Sequence, residues 1–251
     1  MSLRKLIEQL TGTRIYRSLP RGIDFAQDIA NSLPTYRTDI VFDIGANVGQ
    51  SSRLYLVKFP NAHIYCFEPV SDTFRRLQDK LQSNERVDCY RLAFGSSKST
   101  GRMVLQGSSN KMFFLLDPSK ESPANNNVPT ESVDIVTVDG FCHTNGIDRI
   151  NFLKIDTEGG DLDVLKGAVN MLAEQKIDFV QVEAGMNPSN RRHVPLESLK
   201  EFLESQRYFL FGIYEQVNEW PTRAPHLRRT NPVFVSQTLI ERNRMSTDSN
   251  A

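Results

Sequence analysis

From Asp39 onward, short apolar runs alternate with amphipathic stretches along the chain. Runs at 40–43, 63–68, 87–93, 133–138, 150–156 and 178–183 have strand length and strand composition. Between them, apolar residues recur at helical spacing. The segment after the first run, to about Phe59, reads as a helix, as does 71–82, with Phe74, Leu77 and Leu81 on one stripe and Ser71 as N-cap. Residues 161–174 place Leu162, Leu165, Val169 and Leu172 inward, and 196–205 contains Leu199, Phe202 and Leu203. The last runs, 208–214 and 233–239, predict a closing strand pair. This alternation is the signature of βαβ units. It predicts an α/β, Rossmann-like, doubly wound and mostly parallel sheet with an antiparallel C-terminal strand.

Residues 1–38 read as a helical N-terminal extension, broken near Pro20-Arg21-Gly22 and Pro34. Leu3, Leu6, Ile7 and Leu10 repeat at helical spacing, and the expectation is a helix packed on the domain rather than on a membrane surface. The domain proper spans 39–240. Residues 95–132 interrupt the rhythm as an insertion, with a strand at 101–105 and a polar, mobile loop at 118–129 around Asn125-Asn126-Asn127. The polar tail from Glu241 is expected to be disordered.

The 251 residues suit one large α/β domain. Lys+Arg and Asp+Glu balance at 30 each, so bulk charge favours neither nucleic acid nor an anionic membrane. No apolar run approaches the roughly 20 residues of a membrane span. The N-terminus has no secretory apolar core. Cys66, Cys89 and Cys142 are odd in number, far apart and outside any CxxC, which predicts free thiols in a reducing, cytoplasmic compartment.

The chemistry begins at Asp43-Ile44-Gly45-Ala46-Asn47-Val48-Gly49-Gln50, which leaves a buried strand and opens a helix. Glycines at 45 and 49 permit a sharp turn and a close helix approach. The spacing is neither the dinucleotide G-x-G-x-x-G nor a P-loop. An aspartate at the strand tip repels phosphate but pairs with an ammonium, such as that of S-adenosylmethionine. Glu68 ends the next strand, where a carboxylate accepts hydrogen bonds from ribose hydroxyls. Asp43, Gly45, Ala46, Asn47, Gly49, Glu68 and Ala93, at the end of the third strand, form the expected cofactor site.

With Phe67-Glu68-Pro69 and Leu153-Lys154-Ile155-Asp156-Thr157-Glu158-Gly159, this loop resembles the FkbM-type methyltransferases. Val136-Thr137-Val138-Asp139 and Leu165-Lys166-Gly167-Ala168 extend the resemblance across roughly 39–185. It implies S-adenosylmethionine-dependent methyl transfer to an oxygen, often a sugar hydroxyl of a glycan, glycolipid or natural product. The family's usual Glu-Gly-Ala-Glu is here Glu158-Gly159-Gly160-Asp161, a departure that bears on helix capping or substrate contact.

Lys154 and Asp156 lie two apart on a strand and point the same way, with Glu158 in the loop beyond. These are the candidate catalytic groups. Asp156 is a candidate base, and Lys154 either holds it ionised or acts as base itself. Asp156 and Glu183 are candidate ligands for Mg²⁺. His193 in Asn190-Arg191-Arg192-His193 is expected as an exposed loop histidine, with a base or substrate contact as the alternative, and His143 is similar with less in its favour. Arg191 and Arg192 either meet an anionic acceptor or stay solvated. Trp220, Tyr214 and Tyr208 are candidates for a sugar-stacking surface, Tyr208 more readily for strand packing. The expected partner is a small-molecule or glycan acceptor, with no nucleic acid. Two other readings use the same sheet, a nucleotide-dependent oxidoreductase and a catalytically inactive binding module.

Overall fold

The computed structural model describes residues 2–105, 129–220 and 222–248. In chain order these form α1 (Leu3–Thr11), α2 (Phe25–Ser32), β1 (Ile40–Ile44), α3 (Gln50–Lys58), β2 (His63–Phe67), α4 (Ser71–Leu81), β3 (Val87–Tyr90), β4 (Ala93–Phe94) and β5 (Ser99–Val104). After the undescribed segment come β6 (Thr130–Val136), α5 (Val138–Asn145), β7 (Ile150–Ile155), α6 (Asp161–Lys166), α7 (Val169–Ala173), β8 (Ile177–Val182), β9 (Ala184–Gly185), α8 (Leu196–Ser205), β10 (Tyr208–Glu219), β11 (Ala224–Ser236) and α9 (Gln237–Asp248).

The main sheet runs β10-β11-β8-β7-β1-β2-β3, with β9 beside β11. β3, β2, β1, β7 and β8 are parallel, and β11 and β10 join antiparallel. Successive side chains of a strand face opposite sides, so a sheet covered on both faces needs unbroken apolar strands. Phe42, Leu153, Val180 and Phe234 face one apolar layer, with Val164, Leu165 and Leu199 of α6 and α8. Val41, Phe152, Phe179 and Val233 face the other, with Phe25 of α2, Tyr55 of α3 and Leu77 of α4. Phe25 stacks on Phe152 at 5.1 Å between centroids, so α2 belongs to the second layer rather than extending away from it.

Several expectations are corrected. α1 buries no residue, and its stripe of Leu3, Leu6, Ile7 and Leu10 faces outward, so this helix does not pack on the domain. The run 87–93 divides, because β4 leaves the main sheet for a small one ordered β4-β6-β5. Val138 starts helix α5 rather than ending a strand, since the Thr137 hydroxyl caps it by accepting from the Gly140 N–H. The helix over 161–174 breaks at Gly167, which lies against the Gly95 carbonyl, and Val169 turns outward. Ser71 is not an N-cap. Its N–H and hydroxyl donate to the Glu131 carboxylate, which caps α4 from β6. The expected disordered tail is helical to Asp248. Leu239 is buried, Ile240 packs on the second layer, and Arg242 reaches Asp178 at 3.3 Å. The expected strand at 101–105 is β5, while most of the polar loop expected at 118–129 lies outside the described residues.

Candidate active site

In this sheet the chain turns from β1 toward β2 on one side and returns to β7 on the other. The carboxyl ends of β1 and β7 therefore flank the switch point where ligands of open α/β sheets bind. Asp43 and Lys154 are register partners there.

Asp43 is fully buried. Its Oδ2 accepts from the Ser51 and Ser52 hydroxyls at 2.6 Å each, and its Oδ1 lies 3.0 Å from Lys154 Nζ. Through these two serines the carboxylate anchors the start of α3. Lys154 Nζ also donates to the Gly45 carbonyl at 3.1 Å and lies 3.4 Å from Asp156 Oδ2. Burial pulls the lysine pKa down, but the Asp43 and Asp156 charges outweigh it and hold the ammonium above its ordinary value. Three oxygens, of Asp43, Gly45 and Asp156, thus hold Lys154 and favour its ammonium form.

The loop between β1 and α3 is held by its backbone. The Gly45 and Ala46 N–H groups both donate to the Phe67 carbonyl at 3.0 Å. Gly45 has φ 79°, and a Cβ there would sit 1.9 Å from the Asp156 carbonyl, so only glycine fits between the strands. Gly49 packs closely against Leu77 and Leu81 of α4. It leaves the N-terminus of α3 without a side-chain cap. Asn47 takes a left-handed backbone, φ 52°, and its N–H donates to Glu68 Oε2 at 3.1 Å.

Glu68 is buried, and its Oε1 accepts from the Val70 N–H at 3.1 Å. Burial raises its pKa to about 7, against the pull of those two N–H groups. Two donors are too few for a buried carboxylate, and a ribose diol would supply the missing ones. This shortage fits the nucleoside of S-adenosylmethionine. Ala93 packs with Val70, Met103, Val133 and Ile135 in the small sheet beside Glu68.

Beyond β7, the side chain of Asp156 is 36% exposed. Asp161 is buried at the start of α6. Its Oδ2 accepts from the Thr157 N–H and hydroxyl, and its Oδ1 from the Glu183 N–H. Burial and then the Asp156 charge raise its pKa to about 7. It ties the loop after β7 to the end of β8, a function that the sequence left open between capping and substrate contact.

His193 is buried rather than exposed. Its Nε2 lies 2.7 Å from Glu183 Oε2 and 3.4 Å from Glu158 Oε2, while its Nδ1 pairs with the Asn190 side chain. Burial works against its charge, but the hydrogen bonds to Glu158 and Glu183 prevail and raise its pKa to about 9. Glu158, in a left-handed conformation at φ 56°, is also held by Arg192 Nε at 2.5 Å, and Glu183 by Arg229 at 2.5 Å. The burial of His193 is not legible locally, because its partners Glu158 and Glu183 come from distant segments. The signal that could have found it is the pairing of Asn190 and His193 in one short loop.

Among the described residues, the His/Cys/Asp/Glu group whose ligand atoms converge is Glu158, Glu183 and His193, within 4.8 Å of one another. Asp156, expected to share Mg²⁺ with Glu183, is not in it. The set includes an imidazole, and two guanidiniums already neutralise its carboxylates. An oxygen-seeking Mg²⁺ does not fit these donors.

The remaining candidates take other surroundings. Tyr208 is buried and donates to the Ile177 carbonyl, as strand packing predicts. Tyr214 is buried too, donating to Asp28, so it offers no sugar surface. Trp220 is 69% exposed, with Arg228 6.0 Å from its ring centroid. His143 occupies the last turn of α5, which leads to the opposite end of β7. Arg191 is exposed. Cys66, Cys89 and Cys142 are free thiols, and Cys66 donates to Ser52 behind Asp43.

A sequence model of the methyltransferase FkbM domain matches residues 43–210. The chain belongs to this family. The matched span takes in the loop at Asp43, the Glu68 strand end and the Lys154–Glu158 segment. The hexuronic acid methyltransferase AglP of Haloferax volcanii is 29% identical over 158 residues, covering 61% of this chain and 59% of AglP. The 2-O-methyltransferase NoeI of Sinorhizobium fredii is 24% identical over 177 residues, covering 66% of this chain and 71% of NoeI. The chain thus spans well under the full length of AglP. A solved precorrin-6y C5,15-methyltransferase from Geobacter metallireducens superposes with a TM-score of 0.44 at 11% identity, over 88% of this chain and 94% of that one.

Proposed function

We propose that this FkbM methyltransferase methylates a hydroxyl of a sugar-bearing small molecule or glycan. The observation that carries the reading is Asp156, an open carboxylate at the switch point, two residues from a lysine locked onto the cofactor loop. S-adenosylmethionine supplies an electrophilic methyl on a sulfonium. A hydroxyl that accepts it must lose a proton, and Asp156 is the group in reach of solvent and acceptor to take it. Lys154 holds the Asp156 carboxylate in place and keeps Gly45 against β7. Glu68 receives the ribose hydroxyls, and the free N–H groups of α3 face the amino-acid end of the cofactor. Arg192 and His193 fix Glu158 at the rim on the acceptor side. The sugar acceptor is supported by AglP and NoeI, whose names specify a hexuronic acid and a 2-O position.

The test is mass spectrometry of products after incubation with S-adenosylmethionine and a panel of hexoses, uronic acids and oligosaccharides, beside amine and thiol acceptors. Methylation of a sugar hydroxyl is expected. Turnover confined to amines or thiols would overturn the reading.

A further inference from the structure

Residues 2–23 carry a charge that the balanced total conceals. Arg4, Lys5, Arg14, Arg17 and Arg21 stand against Glu8, a formal +4 in a chain of net charge zero. Glu8 is consumed within the segment, by Arg4 at 3.1 Å, Arg14 at 4.0 Å and the Ile15 N–H at 3.0 Å. The same stretch exposes large apolar side chains. Leu3, Leu6, Ile7 and Leu10 form the outward stripe of α1, with Leu10 78% exposed, and Ile15, Tyr16, Leu19 and Ile23 are exposed after it. The segment is tethered at its far end. Arg21 lies over the Phe211 ring at 4.8 Å and donates to the Phe211 carbonyl, and the Gly22 N–H donates to Asp28. Its apolar side chains therefore stay in solvent although the segment is fixed to β10.

We propose that residues 3–23 dock this protein onto an anionic phospholipid surface. An amphipathic helix with flanking basic residues lies in the headgroup plane, apolar stripe down, while cations meet lipid phosphates. Charge selects this occupant over a second copy of the chain. A symmetric dimer through this face would bring one cationic segment against its twin, and the like charges would oppose it. The segment shares no residue with the candidate cofactor site, so the proposal stands apart from the methyltransferase reading.

The experiment is co-sedimentation of the full chain with vesicles of phosphatidylcholine alone or mixed with phosphatidylglycerol. Binding to the mixed vesicles is expected to exceed binding to the neutral ones by about tenfold and to fall as salt rises. Leu6→Ser with Ile7→Ser should abolish binding to both. Lys5→Gln with Arg17→Gln, which halves the formal +4, should lower the anionic preference. These side chains lie outside the buried core, so thermal melting and S-adenosylmethionine binding by calorimetry should match wild type, which separates this test from failure of the methyltransferase reading. Absence of binding to mixed vesicles, or equal binding to both that ignores salt, overturns the proposal. So does a dimer in light scattering that Leu6→Ser with Ile7→Ser dissolves.

Discussion

Lys154 stands opposite Asp43 across the parallel register of β1 and β7, and its ammonium lies 3.0 Å from Asp43 Oδ1. One buried ion pair thus clamps the two strands whose ends form the candidate cofactor loop and the rim proposed for catalysis. Replacing Lys154 with Met leaves Asp43 buried beside two hydroxyls without a counter-ion. Stability is expected to fall by about 3–5 kcal/mol in urea titrations. Adding Asp43→Asn should recover part of the loss. A single variant as stable as wild type would show that Ser51 and Ser52 suffice for Asp43.

Glu68 links cofactor affinity to pH. Its pKa of about 7 exceeds the ordinary 4.5, so the empty protein binds this proton more tightly than the unfolded chain does, and its stability declines as pH rises between those values. Hydroxyl donors from a bound ribose favour the carboxylate. Calorimetry should show S-adenosylmethionine binding that weakens as pH falls below about 7. Glu68→Gln should flatten that dependence, and Glu68→Ala should cost about 1–3 kcal/mol of affinity.

Asp156→Asn retains size and removes basicity. Turnover is expected to drop about 10²–10⁴-fold, with cofactor affinity little changed, because the side chain lies on a different strand from Glu68. Steady-state kinetics on the true acceptor, with calorimetry of the cofactor, separate the two quantities. Near-normal turnover would move the proton transfer to another group.

His193 stabilises the fold as an imidazolium between Glu158 and Glu183. Its pKa is raised from 6.5 to about 9, so its contribution is complete below the lower value and is lost as pH rises through the higher. Melting temperature should decline over that window in wild type, and the decline should be smaller in His193→Gln. Parallel curves for the two proteins would remove the imidazolium from this role.

Wild-type turnover should withstand EDTA, because guanidiniums already neutralise Glu158 and Glu183. Activity that EDTA abolishes and Mg²⁺ restores would place a cation among these carboxylates after all.

The sequence alone determined the α/β alternation, the loop from Asp43 to Gly49, Glu68 and the Lys154–Asp156–Glu158 segment. These depend on local period, strand-end position and glycine, all written within a few neighbouring residues. It could not determine what lies between segments. That Asp43 is buried against Ser51, Ser52 and Lys154, that Glu131 rather than Ser71 caps α4, and that His193 is buried between Glu158 and Glu183 follow from packing distant stretches together. The same holds for α1. Its amphipathic period is local, but whether its apolar stripe meets the domain is decided by the surfaces the fold leaves available, and here it meets none. Hydrogen-bond demand and burial are properties of the assembled chain, so only the tertiary structure distributes them.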